Sequence, residues 1–321
     1  MKTKQYSASH LLEVNLYIQQ AIFALVIVLC IFSIISPPIA LLFGVLVVNV
    51  FGNPFVTFNH KTITFLLQFS VVGLGFGMNA GTAFSAGKEG FLLTVFSIFA
   101  TLVLGTCIGK LFNIDKKIAH LISCGTAICG GSAIAAIAPV IKSDEKQTSV
   151  ALGVIFILNS AALFVFPYIG HQLDLSQKDF GLWCAIAIHD TSSVVGAANK
   201  YGAEALQIAT TVKLARALWI IPISVLTALI FKNKNSKIKI PYFIGLFILA
   251  MLINSYVPKS SIIAPHIVGI AKIGLTITLF LIGATLNVTT LKSVGVKPLL
   301  QGVSLWIFIA TLSLIAILYF R

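Results

Sequence analysis

Apolar runs of membrane-spanning length recur along nearly the whole chain, and they constrain its fold more than any other feature. A helix that crosses a bilayer needs about 20 mostly apolar residues. Only 10% of the 321 residues are charged and 58% are hydrophobic, whereas soluble domains carry about 25% charged residues. Because the charged groups are too few to cover a water-exposed surface, the composition excludes a cytosolic or secreted globular protein.

The runs predict an all-α polytopic membrane protein with about 11 transmembrane helices in a single domain, residues 1–321. The connections are too short to hold a soluble domain. The first run lacks a clear signal-peptide cleavage site, so we expect it to remain as the first membrane helix. The predicted spans are 17–35, 38–51, 63–84, 90–112, 118–140, 148–169, 182–198, 205–231, 241–257, 262–287 and 296–320.

The distribution of cations predicts the orientation of these spans. The net charge is +13, and cytoplasmic loops of membrane proteins are enriched in Lys and Arg. With a cytoplasmic N-terminus, thirteen Lys and Arg residues fall on the cytoplasmic side and six on the other, while Lys213, Arg216 and Lys272 fall inside spans. We therefore expect an inner-membrane protein with its C-terminus outside. Since the loop cations are explained by orientation, they do not indicate nucleic-acid binding.

A weak internal repeat relates the two ends of the chain. Segment 74–92 aligns with segment 282–300 at a shift of 208 residues, which matches Gly75, Asn79, Ser85 and Gly87 with Gly283, Asn287, Ser293 and Gly295. Span three then pairs with span ten, so the two copies have opposite orientations in the membrane. Inverted repeats are typical of secondary transporters, and we expect repeat halves at about 17–140 and 182–320.

The fifth span contains the first candidate helix break. Segment 123–139 reads SCGTAICGGSAIAAIAP, and a Gly pair costs about 2 kcal/mol of helix propensity relative to Ala. The pattern predicts a break at Gly130 and Gly131, with Ser132 as the N-cap of a second half-helix whose positive end binds an anion. Close helix packing through small residues is the alternative.

The seventh span contains the second candidate break, within CAIAIHDTSSVVGAA at 184–198. The pattern predicts a half-helix that starts near Ser193 and is capped by Asp190, Thr191 or Ser192, with the hydroxyls of Thr191, Ser192 and Ser193 available to a substrate. His189 lies beside the Asp190 carboxylate and is a candidate to carry a coupling proton. A loop at the membrane interface is the alternative.

Span eight carries two cations three residues apart, Lys213 and Arg216, which project from one helical face. Together with Asp190, they cost about 9 kcal/mol near the bilayer centre, so they must face protein or water. Two cations against one carboxylate suggest an anionic ligand. A structural Asp190–Arg216 pair with Lys213 snorkelling is the alternative. Asn159 is expected to form hydrogen bonds between helices.

No enzyme signature such as HExxH or GxSxG is present, so we do not expect an enzyme. The five cysteines show no zinc-type clustering, and we expect neither a metal site nor a cofactor.

Three motifs carry a family resemblance: TAICGGSAIAA at 126–136, HDTSSVVGAA at 189–198 and ATTVKLAR at 209–216. Together they resemble the YeiH family of proposed sulfate exporters over essentially the whole chain. That family is grouped with the cation:proton antiporter and bile-acid symporter superfamily, whose members have two broken helices that run antiparallel and cross at the midplane. In the predicted topology, by contrast, spans five and seven are parallel. The resemblance implies a central site lined by Gly130, Gly131, Ser132, His189, Asp190, Thr191, Ser192, Lys213 and Arg216.

These observations predict a secondary transporter that exports a small anion, such as sulfate or a sulfonate, by alternating access. Sodium- or proton-coupled symport of an organic anion and a non-transporting receptor or scaffold are the two alternatives. The expected partners are the anionic substrate, the lipid bilayer and a coupling proton or sodium ion. The sequence leaves open whether the chain forms a homodimer.

Overall fold

The computed structural model describes residues 15–231, 242–257, 260–286 and 294–319, and all regular secondary structure within these ranges is helical. The helices are α1 (Leu16–Ile31), α2 (Pro37–Val50), α3 (Val56–Gly75), α4 (Ala80–Leu111), α5 (Lys116–Ala127), α6 (Gly131–Ile137), α7 (Glu145–Gln172), α8 (Gln177–Ala187), α9 (Thr191–Tyr201), α10 (Ala203–Ala217), α11 (Ile220–Ile230), α12 (Tyr242–Tyr256), α13 (Ser260–Gly283) and α14 (Val296–Tyr319).

The predicted all-α membrane fold is confirmed. Five helical stretches are long and apolar enough to cross a bilayer: 91–111, 146–172, 203–230, 262–283 and 296–319. Four shorter apolar helices, α1, α2, the 62–75 part of α3 and α12, add to them. Two residues of the predicted repeat, Asn287 and Ser293, lie outside the described residues. So do residues 232–239, whose lysines count among the thirteen cations predicted to be cytoplasmic.

The helices pack as two groups. One group contains α1, α2, α3, α12 and α13, and the other contains α4 to α11 and α14. Glycines bring α2 and α13 together in the first group, because a Cβ atom added to Gly44 would lie only 2.9 Å from Gly283 Cα. The groups meet where α9 packs against α13 and α2, where α2 packs against α7, and where α4 packs against α12. The candidate site lies wholly within the second group.

The fifth predicted span turns back instead of crossing. Helix α5 ends at Ala127 and α6 begins at Gly131, which confirms the break. The Lys117 ammonium at the start of α5 donates to the Lys142 carbonyl, just beyond α6, at 2.6 Å. Gly125 packs against Ile134 across the turn. Since the segment leaves where it entered, α5 and α6 form a re-entrant pair, called hairpin 1 below.

The seventh predicted span turns back as well. Helix α8 ends at Ala187 and α9 begins at Thr191, so the second break is also present. At the base, the Tyr201 ring at the end of α9 stacks on Phe180 near the start of α8, with 3.7 Å between centroids. The Tyr201 hydroxyl donates to the Leu175 carbonyl at 2.7 Å. Helices α8 and α9 therefore form hairpin 2.

Helix α7 connects the bases of the two hairpins. Near its start, the Gln147 amide donates to Asp115 beside α5 at 3.1 Å. At its other end, Gly170 packs against Phe180 of α8. The 28 residues of α7 give a length of about 42 Å at 1.5 Å per residue. The hairpins thus enter from opposite ends of α7, with half the length of a crossing helix each.

This topology corrects two sequence-based expectations. Spans five and seven do not cross, so nine apolar stretches among the described residues remain as crossing candidates beside two hairpins. The crossing broken helices that the superfamily resemblance implied are replaced by hairpins that approach from opposite ends of α7. Their opposed directions remove the conflict that the parallel spans five and seven had raised.

Candidate functional site

The tips of the two hairpins meet at the middle of α7. A Cβ atom added to Gly130 in the tip of hairpin 1 would lie 3.2 Å from Asp190 Cβ in the tip of hairpin 2. It would lie equally close to Ile155 of α7. Larger side chains at this position would push the tips apart, so the Gly130 backbone is what lets the two turns touch.

Gly130 is also the N-cap residue of α6, with φ +65 and ψ −125. This positive φ is readily adopted by glycine and rarely by other residues. The prediction of Ser132 as the N-cap is wrong, because α6 begins one residue before it, at Gly131. The glycine pair was the correct signal for the break, since the turn requires the conformation that only its first member adopts.

Of the three predicted caps of hairpin 2's second helix, Asp190 is the one observed, and α9 begins directly after it at Thr191, two residues before the predicted start near Ser193. One carboxylate oxygen accepts from the Ser193 amide at 2.6 Å and the Ser192 hydroxyl at 2.8 Å. The other accepts from the Ser193 hydroxyl at 3.1 Å. The hydroxyls of Ser192 and Ser193 are therefore already bound to Asp190, and Thr191 lies buried at the start of α9.

Asn159, at the middle of α7, fixes this tip from the side. Its amide nitrogen donates to the second Asp190 oxygen at 2.6 Å. Its carbonyl oxygen accepts from the His189 backbone N–H at 3.2 Å. The interhelical role predicted for Asn159 is confirmed, but its connection to the two predicted coupling residues was missed. A polar residue at the centre of a long apolar span is the signal that could have found it.

Lys213 and Arg216 bind the ends of the first half-helices. The Lys213 ammonium donates to the carbonyls of Ile188 at 2.7 Å and Ala185 at 3.3 Å, where α8 ends. The Arg216 Nε donates to the Ala127 carbonyl at 2.7 Å, where α5 ends. A helix C-terminus carries a partial negative charge and free carbonyls. One helix, α10, thus holds both hairpins by the same interaction.

The predicted structural alternative, an Asp190–Arg216 ion pair with Lys213 snorkelling, is wrong. Within the described residues, Arg216 forms no ion pair with Asp190, and its Nη1 donates instead to the Ser97 hydroxyl of α4 at 2.9 Å. Lys213 does not snorkel, because its exposed fraction is 0%. Both cations are enclosed by protein, as the cost of burying charge in a bilayer required.

Several buried polar atoms at the site have no hydrogen-bond partner among the described residues. They are both ring nitrogens of His189, the Nη2 of Arg216 and the hydroxyl of Thr126, next to the Ala127 carbonyl that Arg216 binds. A buried polar group without a partner costs about 1–3 kcal/mol. Such groups are therefore uncommon unless another molecule or a moving part satisfies them.

The two hairpins differ in how far protein covers them. In hairpin 2, residues Thr191–Ala198 are all buried, and Gly196 packs against Leu279 of α13. In hairpin 1, Gly131 is half-buried and Ser132 is exposed. One side of the meeting tips is therefore covered by the first helix group, while the start of α6 on the other side is partly exposed.

Comparisons with known proteins show a family to which the sequence of this chain is similar. A family model described as "Conserved hypothetical protein 698" matches residues 14–302. A UPF0324 membrane protein of Bacteroides thetaiotaomicron is 56% identical over 291 residues, which cover 89% of this chain and 87% of the relative. A UPF0324 membrane protein of Photobacterium profundum is 50% identical, with 95% and 93% covered. No solved structure matches the chain.

Proposed function

Because this chain belongs to the family described as conserved hypothetical protein 698, whose UPF0324 relatives are membrane proteins, we propose that it is a secondary transporter for a small anion in the bacterial inner membrane. The observation that carries the proposal is the meeting of two opposed hairpin tips beside Lys213 and Arg216. The sulfate or sulfonate class implied by the YeiH resemblance is the substrate to test first.

Re-entrant hairpins favour transport over a purely structural role. Backbone that is not helical is tolerated at membrane depth only where it is buried in protein or lines a water-filled cavity. Both turns, Ile128–Gly130 and Ile188–Asp190, lie at half the length of α7. Half-helix ends near the midplane are the usual substrate and ion sites of secondary transporters.

Charge at the tips favours an anion. Two buried cations and one buried carboxylate lie there, and the Asp190 carboxylate is already bound to its own helix start and Asn159. The partial negative ends of α5 and α8 offset part of the cationic charge, but α6 and α9 begin at the same place with their positive ends. About one positive charge remains. Arg216 Nη2, which has no partner among the described residues, supplies a donor for an acceptor oxygen.

His189 is our candidate for proton coupling. Its imidazole is fully buried and both ring nitrogens lack partners among the described residues, so a proton can be gained or lost without breaking an existing hydrogen bond. Asp190 has a positioning role in this proposal, because four donors hold its carboxylate. Of the two coupling residues predicted from the sequence, His189 and Asp190, this proposal keeps only His189 in that role.

The hairpin topology sharpens the proposed orientation, with a cytoplasmic N-terminus and an external C-terminus. Moving Lys142 and Lys146 to the cytoplasmic side and Lys178 to the outside changes the distribution of loop cations to fourteen inside and five outside. A larger excess on the cytoplasmic side agrees better with the positive-inside rule.

The inverted repeat remains part of the proposal. At a shift of 208 residues, Gly75 of α3 corresponds to Gly283 of α13. A Cβ atom on Gly75 would lie 2.7 Å from the Phe247 carbonyl of α12, and one on Gly283 would lie 3.1 Å from Gly44 Cα of α2. The α3–α12 and α13–α2 contacts thus use corresponding glycines, as an inverted pair of helix hairpins requires.

Flux in proteoliposomes tests the proposal. Purified protein is reconstituted, and uptake of radiolabelled sulfate, sulfite and a small sulfonate is measured with imposed proton or sodium gradients. We expect saturable flux of at least one anion, loss of at least 90% of it in Lys213→Ala, and normal flux in Lys272→Ala, the exposed cation of α13. Lys213→Arg keeps the charge at the same position and should retain flux, which separates loss of the charge from misfolding.

The outcomes separate the alternatives. Flux driven by sodium with an organic anion supports the symporter, and stimulation by a proton gradient that His189→Gln abolishes supports coupling through His189. Absence of flux for every anion, with no anion raising the thermal stability of the detergent-solubilised protein, refutes transport and favours a receptor or scaffold.

A further inference from the structure

A groove lies away from the hairpin tips, on the outer surface of the second helix group. It has a volume of about 440 Å³ and is lined by α4, the start of α5 and α11. Its walls are mostly apolar, and Val103 and Ile230 at its edges are 65% and 51% exposed. A lateral opening of this kind faces the hydrocarbon region if α4 and α11 cross the membrane as their composition indicates.

The polar end of the groove has a single sign of charge. Lys110 is in the last turn of α4 and Lys116 is the first residue of α5, and both line the groove. The Lys116 ammonium lies over the Phe231 ring, 5.0 Å from its centroid. No carboxylate is among the lining residues.

The acidic residue next to Lys116 in the sequence does not line the groove. Asp115 precedes Lys116, but its carboxylate accepts from the backbone amides of Lys117 and Ile118 and from the Gln147 side chain. The two lysines therefore lie beside an apolar slot. None of the residues that line this slot carries a carboxylate that could neutralise them. An occupant with an anionic head and an apolar tail satisfies both parts.

We propose that this groove binds one anionic phospholipid, with its phosphate between Lys110 and Lys116 and an acyl chain along α4 and α11. Basic pockets between membrane helices are known to bind anionic head groups. A free inorganic anion would leave the apolar slot empty, and a zwitterionic lipid would gain little from two cations. Because α5 forms one wall, the lipid contacts the base of hairpin 1.

Native mass spectrometry of the full chain in detergent tests this site, with phosphatidylglycerol and phosphatidylcholine of the same acyl chains as probes. At about 1 kcal/mol per lysine, the Lys110→Ala/Lys116→Ala variant should bind the tightest phosphatidylglycerol about thirtyfold more weakly. The matched control is Lys146→Ala/Lys297→Ala, which removes two exposed lysines outside the groove. This control should bind the lipid as the unmodified chain does.

Two further arms keep the result interpretable. Lys110→Arg/Lys116→Arg should retain the lipid, which rules out misfolding as the cause of loss. Thr106→Trp fills the slot with the lysines intact and should also lose the lipid. Three results would overturn the proposal. They are equal binding of the two lipids, unchanged lipid binding in the double alanine variant, and displacement of the lipid by inorganic phosphate alone. These results are independent of anion flux, so they leave the transport proposal to its own test.

Discussion

Replacing Asp190 with alanine tests whether the tip of hairpin 2 depends on a buried carboxylate. The substitution removes the N-cap of α9, which is worth about 1 kcal/mol. It also leaves the Asn159 amide and the Ser193 hydroxyl buried without the acceptor that Asp190 supplies, at about 1–2 kcal/mol each. We therefore expect a loss of about 3–5 kcal/mol in the free energy of unfolding, the range found when one partner of a buried charged network is removed.

The measurement is denaturant-induced unfolding in detergent, followed by circular dichroism. Asp144→Ala is the matched control. Asp144 caps α7 in the same way, by accepting from the backbone N–H of Gln147 at 2.7 Å, but it is exposed. Its expected cost is about 1 kcal/mol. Asp190→Asn keeps the shape but turns one acceptor into a donor, so its cost should lie between the two. If Asp190→Ala costs no more than Asp144→Ala, the buried network does not stabilise the tip.

Two other predictions concern the turn and the topology. Gly130→Ala should lower the free energy of unfolding by about 1–3 kcal/mol, because φ is +65 and the added Cβ would lie 3.2 Å from Asp190 Cβ. The control is Gly245→Ala, which should cost nothing because nothing lies within 4 Å of its added Cβ. Equal losses of stability in the two variants would contradict the argument. Single cysteines at Lys146, Lys178 and Lys200, labelled in intact cells by an impermeant maleimide, should react at 178 and 200 but not at 146. Labelling of 146 together with 200, but not 178, would restore the crossing spans.

The sequence predicted where the two helices break but not where the chain goes afterwards. A Gly pair and a polar cluster raise the local cost of continuing a helix, and those costs are visible in the residues themselves. The direction after each break depends on contacts at the hairpin bases, such as Lys117 with the Lys142 carbonyl and Phe180 with Tyr201. These contacts join residues that a crossing span would hold at opposite membrane surfaces.

The partners of the two buried cations could not be predicted from the sequence either. The cost of placing charge in a bilayer correctly predicted that Lys213 and Arg216 are enclosed. Among side chains and ligands, the sequence offers only Asp190 or an external anion as their partner. Their partners within the chain are backbone carbonyls at Ile188 and Ala127. Such acceptors exist only once a helix ends, so they become visible only when the helix ends are known.

These carbonyl bonds do not remove the case for an anion, and they link its binding to the hairpins. A helix C-terminus offsets only about half a charge, so neither cation is neutralised by its carbonyls. Lys213 is bound to hairpin 2 and Arg216 to hairpin 1, although both belong to α10. Under the proposed function, we expect a ligand that binds Arg216 Nη2, which has no partner among the described residues, to pull on the end of α5 and, through α10, on hairpin 2. If the proposed transport function holds, we expect occupancy of the site to affect both hairpins through α10.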